Sequence, residues 1–157
     1  MSDFTHINEK NNPKMVNVSD KKITKRTAIA KATMFLGTEI ISQFTNDELI
    51  TKKGPVFQTA IIAGIQGVKK TSDIIPMCHP LLINGVDIDI SVVDDLHIEV
   101  TCKVTIEGKT GVEMEALTGA SATCLTIYDM CKAISQDMII KEVKLIEKTG
   151  GKSDIKK

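Results

Sequence analysis

Apolar and polar residues alternate with a period of two where Leu96, Ile98, Val100, Cys102, Val104 and Ile106 interleave with His97, Glu99, Thr101, Lys103, Thr105 and Glu107. Successive side chains on a strand point to opposite faces, so a half-buried strand is predicted over Leu96 to Glu107. Val86, Ile88, Ile90 and Val92 repeat the pattern upstream, and Asp94-Asp95 between the two runs predicts a hairpin. Another strand is expected within Ile23 to Leu36, where Ala28, Ala30, Ala32 and Met34 make one small apolar face. Met138 to Glu147 is expected to close the domain as a last strand.

Between these runs the spacing becomes helical. "GTEIISQF" reads as a short helix, and Gly54-Pro55 is expected to open a longer one to about Ile74, with Pro55 at its first position. Ala60, Gly64 and Val68 stack at a spacing of four and invite close packing on a sheet. A second long helix is expected from about Gly111 to Ser135, with Val112, Ala116, Ala120, Thr123, Ile127 and Ile134 near one stripe. Thr110 followed by Glu113 has the spacing of a capping box at its start. The order strand, helices, strand, strand, helix, strand predicts an α+β, ferredoxin-like (βαββαβ) fold, an antiparallel sheet with helices packed on one face. The expected organisation is a flexible N-terminal segment over 1–20, a single domain over 21–149 and a flexible charged tail over 150–157.

Composition narrows the function classes. The 157 residues suffice for one core. Twenty basic against 20 acidic residues give no overall field for gathering nucleic acid or anionic lipid, so any anion binding must come from a local cluster. The strands Val86 to Val92 and Leu96 to Ile106 hold no aromatic residue on which a base could stack, which argues against an RNA-recognition sheet. Neither nucleic acid nor membrane is an expected partner. Cys78, Cys102, Cys124 and Cys131 show no paired spacing and are expected to be reduced, in a cytoplasmic protein. "MSDFTHINEKNNPK" has no apolar leader core, and no run approaches the roughly 18 apolar residues of a membrane span.

Several segments carry candidate chemistry. "EGKTG" and "GGKSD" look like phosphate loops, but Lys103 and Ile146 stand where the first glycine of that motif belongs. "DIIPMCHPLL" sets Cys78 beside His79 between two prolines. Too few further ligands exist for a metal site, adjacent side chains diverge too far for a Cys-His dyad, and the prolines hold an extended turn that presents His79. Whether His79 binds, transfers protons or does neither stays open on spacing alone. Asp129 and Lys132, three apart in the otherwise largely apolar "LTIYDMCKAI", are a solvated ion pair or a partly buried acid and base. Capping accounts for Glu113; Glu115 falls outside it.

"THIN", "MVNVS", "AGIQGVKKTSDIIPMCHPL", "GKTGVEMEALTGASATCLTIYDMCKAI" and "KTGGKS" resemble, in order and spacing, the cyclic pyranopterin monophosphate synthase family, accessory protein C of molybdenum cofactor biosynthesis. The resemblance covers essentially the whole chain. It implies a lyase that converts a cyclised dihydro-GTP to cyclic pyranopterin monophosphate with release of pyrophosphate. It also implies a homohexamer, a trimer of dimers with sites at the dimer interface. No cofactor is implied as required, although a divalent cation can accompany the triphosphate.

Carried over by position, the resemblance makes Asp129 the catalytic acid, with Lys132 and Lys53 as catalytic lysines. Met77, Cys78, His79, Met114 and Glu115 would line the substrate, with Glu113 an acidic site residue and Lys148 and Arg26 basic ones. A carboxylate and lysine can exchange protons if burial and pairing bring their pKa values toward neutrality. Lysines can likewise stabilise the charge developing on pyrophosphate. One departure stands out: Asn17 in "MVNVS" replaces the aspartate usual in the family, keeping an acceptor and losing a charge.

Overall fold

The alternating stretches pair side by side in a five-stranded antiparallel sheet. A computed structural model describes residues 6–157, and the part of the N-terminal segment before His6 lies outside them. In chain order the elements are β1 (Thr24–Phe35), α1 (Thr38–Ile41), β2 (Ile50–Thr51), β3 (Gly54–Pro55), α2 (Val56–Lys69), α3 (Thr71–Ile74), β4 (Gly85–Val92), β5 (His97–Gly108), α4 (Glu113–Cys131), β6 (Ile139–Thr149) and β7 (Ile155–Lys156). The sheet order is β4-β5-β1-β6-β7. Its first four strands, with helices crossing from β1 to β4 and from β5 to β6, have the ferredoxin-like arrangement.

The core lies between this sheet and α2 and α4. Ala30 pairs with Cys102 and Ala32 with Val100, all fully buried. Ala116, Ala120, Cys124 and Ile127 of α4 are buried in the same core. The small residues on both sides let the helix approach the sheet closely.

Glycines set the approach of α2 to α4. A Cβ on Gly119 would stand 2.6 Å from Val68 Cγ2 and 2.7 Å from Cys102 Sγ, so side chains of α2 and β5 would both have to move. The seam around Gly64 therefore packs on α4 as well as on β4, where the spacing alone suggested a sheet. Gly119→Ala is expected to cost about 1–3 kcal/mol by overpacking, read as a lower midpoint in denaturant unfolding with an unchanged slope.

Several local expectations are corrected. Pro55 is the N-cap of α2 and lies in β3, with extended φ −70 and ψ 129. It offers no capping side chain, and Glu48 supplies the cap from outside: its Oε1 accepts from Phe57 N–H at 2.8 Å and its Oε2 from Gln58 N–H at 3.1 Å. An anion at the positive end of a helix satisfies donors that have no partner within it. The same helix stops at Lys69, because Thr71 turns its hydroxyl onto the carbonyls of Gly67 and Val68 and starts the separate α3.

The expected capping box does not form either. Val112 is the N-cap of α4, no side chain caps it, and Glu113 pairs with Lys148 instead. At the C-terminal end, residues 150–157 include β7, which pairs Ile155–Lys156 with Glu147 and Lys148 of β6. No helix among the described residues is long and apolar enough to cross a membrane.

Candidate active site

The C-terminal end of α4 gathers the acid and two of the lysines. Asp129 lies in its last turn and Lys132 is its C-cap residue. Lys53 arrives from the turn between β2 and β3, where Gly54 adopts φ +107, a conformation that only glycine takes easily. Thr51 Oγ1 accepts from Lys53 N–H at 3.1 Å and shapes the turn. Lys53 Nζ donates to Asp129 Oδ2 at 2.7 Å and to the Asp129 carbonyl at 3.0 Å, while Lys132 Nζ stands 2.8 Å from Oδ1. These groups border a cavity of about 470 Å³ that also includes Gln43, Ile50 and Ile134.

Of the two readings open for Asp129 and Lys132, the solvated ion pair is the one found within one chain. The three side chains are each about half exposed, at 53, 55 and 51% for Lys53, Asp129 and Lys132. The hydrogen bonds from Lys132 and then Lys53 hold the Asp129 carboxyl down to about 2, and Asp129 pushes Lys132 up. A depressed carboxyl contributes stability above its unfolded value near 3.8, lost as pH falls through about 2, so the ion pairs are intact at neutral pH. Carbon NMR titration of the Asp129 carboxyl should give a midpoint near 2, and Lys53→Ala or Lys132→Ala should each raise it toward 3.8.

A second cavity, of about 440 Å³, lies at the opposite end of α4. Met77, Cys78 and His79, in the turn after α3, face Glu113, Met114 and Glu115 of the helix's first turn. Glu115 is only 4% exposed, and its carboxyl is raised by burial and then by the charge of Glu113. Burial and then Glu115 also raise the Cys78 thiol, which keeps it protonated and suits lining better than nucleophilic attack. Residues 6–21 close one wall, contributing His6, Val16, Val18 and Lys21.

A smaller adjoining cleft, of about 180 Å³, includes Arg26, Lys148, Lys21 and Lys152. Arg26 Nε donates to the Gly108 carbonyl at 3.0 Å, and Lys148 Nζ to Glu113 Oε1 at 2.8 Å. Lys21 stands beside Lys22 in a polar stretch with nothing in its spacing to mark it, and Lys152 lies in "GGKSD", which fails the phosphate-loop pattern at Ile146. The described residues hold no cluster of three or more His, Cys, Asp or Glu placed to bind a metal ion.

The predicted residues thus form two groups, one at each end of α4. Met114 and Asp129 are 15 residues apart, or about 22 Å along the helix at ~1.5 Å per residue.

Residues 15–151 match the profile of the MoaC family. The chain belongs to the MoaC family. A cyclic pyranopterin monophosphate synthase of Bacillus mycoides is 53% identical over 98% of this chain and 96% of its own length. Two longer relatives match as well. The molybdenum cofactor biosynthesis bifunctional protein of Synechocystis is 53% identical over 97% of this chain and 45% of its own length. The molybdenum cofactor biosynthesis protein 1 of Dictyostelium discoideum is 48% identical over 97% of this chain and 27% of its own length. The MoaC chain described here therefore spans nearly all of one relative and less than half of the other two.

At position 17, where the resemblance implies an aspartate, the asparagine makes a backbone contact. Asn17 Oδ1 accepts from Ser19 N–H at 2.8 Å, an Asx turn that an aspartate oxygen would make equally well. That contact needs an acceptor and no charge.

Proposed function

We propose that this chain is a cyclic pyranopterin monophosphate synthase, a lyase of molybdenum cofactor biosynthesis that converts cyclised dihydro-GTP to cyclic pyranopterin monophosphate and pyrophosphate. The observation that carries the mechanism is the single carboxylate held by two lysines, Lys53 at 2.7 Å and Lys132 at 2.8 Å. Forming a cyclic monophosphate from a triphosphate requires a substrate hydroxyl oxygen to bond to the α-phosphorus as the bond to the β-phosphate oxygen breaks. The hydroxyl gives up a proton, and pyrophosphate leaves with added negative charge.

Asp129, ionised at neutral pH, is the base for proton removal in this reaction. Lys53 and Lys132 supply positive charge to the leaving group and a proton where one is needed. A triphosphate that drew the lysines toward itself would also take from Asp129 the hydrogen bonds that depress its pKa, raising its basicity as substrate binds. His79, Arg26 and Lys148 serve the phosphate-bearing substrate; Met77, Cys78 and Met114 line it, with Glu113 and Glu115 as the acidic contacts. The reaction needs no resident cofactor, and a divalent cation accompanying the triphosphate would arrive with the substrate.

The roughly 22 Å between the two groups is too far for one small substrate to touch both within one chain. A second copy bringing its own Asp129 end to the His79 end would complete the site, consistent with a homohexamer built as a trimer of dimers. The free cysteines support a reducing, cytoplasmic setting. Adding cyclised dihydro-GTP to the purified protein is expected to release pyrophosphate with turnover. Saturable binding without release would instead favour a non-catalytic nucleotide-binding module.

A further inference from the structure

We propose that the N-terminal strap, residues 14–21, fixes through the Val16 carbonyl which ring nitrogen of His79 carries the proton, making the strap a positioning element of the site. This inference rests on the proposed function only in taking His79 to meet the substrate. The observation is a contact of 2.8 Å between His79 Nε2 and the Val16 carbonyl oxygen, 63 residues apart in sequence. A carbonyl oxygen can only accept, so Nε2 is the protonated nitrogen and donates. The neutral ring then keeps its lone pair on Nδ1, and no other hydrogen bond engages the ring among the described residues. His79 therefore meets a ligand through Nδ1, accepting when neutral and donating when charged.

The strap is itself held on both sides of Val16. Lys14 N–H donates to the His6 carbonyl at 2.8 Å, and the Asx turn at Asn17 takes Ser19 N–H at 2.8 Å. Lys109 Nζ, from the loop leading to α4, donates to the Ser19 carbonyl at 2.6 Å. Val16 and Val18 also wall the cavity that holds His79. A backbone acceptor that orients an imidazole in this way acts as the outer partners of metal-bound histidines do, whose loss costs roughly 10- to 100-fold in function.

Nitrogen NMR of the full chain labelled at histidine tests this directly, with His79→Gln assigning the resonances. At a pH where the ring is neutral, His79 is expected to show a protonated Nε2 and an unprotonated Nδ1. A protonated Nδ1, or values averaged between the tautomers, overturns the proposal.

The variant pair Asn17→Ala/Lys109→Ala releases the strap, verified by faster exchange of the Lys14 and Lys21 amides, which donate to the carbonyls of His6 and Val18 in the parent. It should average the two tautomers and lower kcat/KM on cyclised dihydro-GTP roughly 10-fold. Asn17→Asp, which keeps the acceptor, should restore the parent tautomer and rate when combined with native Lys109. A released strap with His79 still in one tautomer and kcat/KM at the parent value overturns the proposal. Failure of the synthase reading is separable, because it appears as absent turnover in the parent protein whatever the tautomer.

Discussion

Asp129→Asn is expected to lower kcat by roughly 10²- to 10⁴-fold, the range contributed by a positioned general acid or base. Asparagine has nearly the same shape and keeps an oxygen that can accept from Lys53 or Lys132, so only the charge and the basicity are removed. The side chain is about half exposed at 55%, and its replacement empties no part of the core. Folding and assembly should therefore survive, which circular dichroism and sedimentation would verify before kinetics are measured. Lys132→Ala should be impaired as well, since it removes both a proton donor and a cation facing the leaving group. A folded, assembled Asp129→Asn protein that still turns over cyclised dihydro-GTP at the parent rate would show that the base lies elsewhere.

Mixing two inactive variants should restore activity if the site is shared between copies. Asp129→Asn damages the C-terminal end of α4 and His79→Gln the turn beside its N-terminal end. In a two-site dimer formed from both, one site carries both lesions and the other carries neither. Random exchange puts half of the chains into such mixed dimers, so about a quarter of the parent sites return. Each variant alone should stay near background. If one chain held a complete site by itself, mixing would recover nothing.

The strands were legible because alternation is a direct consequence of strand geometry. Ile98 to Ile106 and Ala28 to Met34 put their apolar residues on the core face, as their spacing requires, while Leu96, before β5, stays exposed. Helix ends were less legible because they depend on contacts distant in sequence. Pro55 has the residue type of a first helical position, but Glu48 caps the helix from outside; Glu113 stands at capping-box spacing from Thr110, but Lys148, 35 residues away, holds it. The acid and lysines of the site came from the family resemblance more than from their pattern. Asp129 and Lys132 were visible as a pair, but Lys53, 76 residues from Asp129, has no local signature. The contact from Val16 to His79 is a backbone interaction, and a carbonyl leaves no mark on residue type.

Burial was the quantity that spacing left open. The apolar surroundings of "YDMCK" allowed a partly buried acid and base beside the plainer solvated ion pair, and the structure has the ion pair: Asp129 and Lys132 point outward from a helix whose other face supplies the apolar residues. Their pKa values move apart in the single chain, and it is a ligand or a second copy that would have to desolvate them.

A structure of the assembled protein with cyclic pyranopterin monophosphate bound tests the shared site most directly. The expected result is one ligand in contact with His79 and Glu115 of one copy and with Asp129, Lys132 and Lys53 of another. A ligand held entirely at one end of α4 by a single copy, with the opposite end of every other copy out of reach, would contradict it.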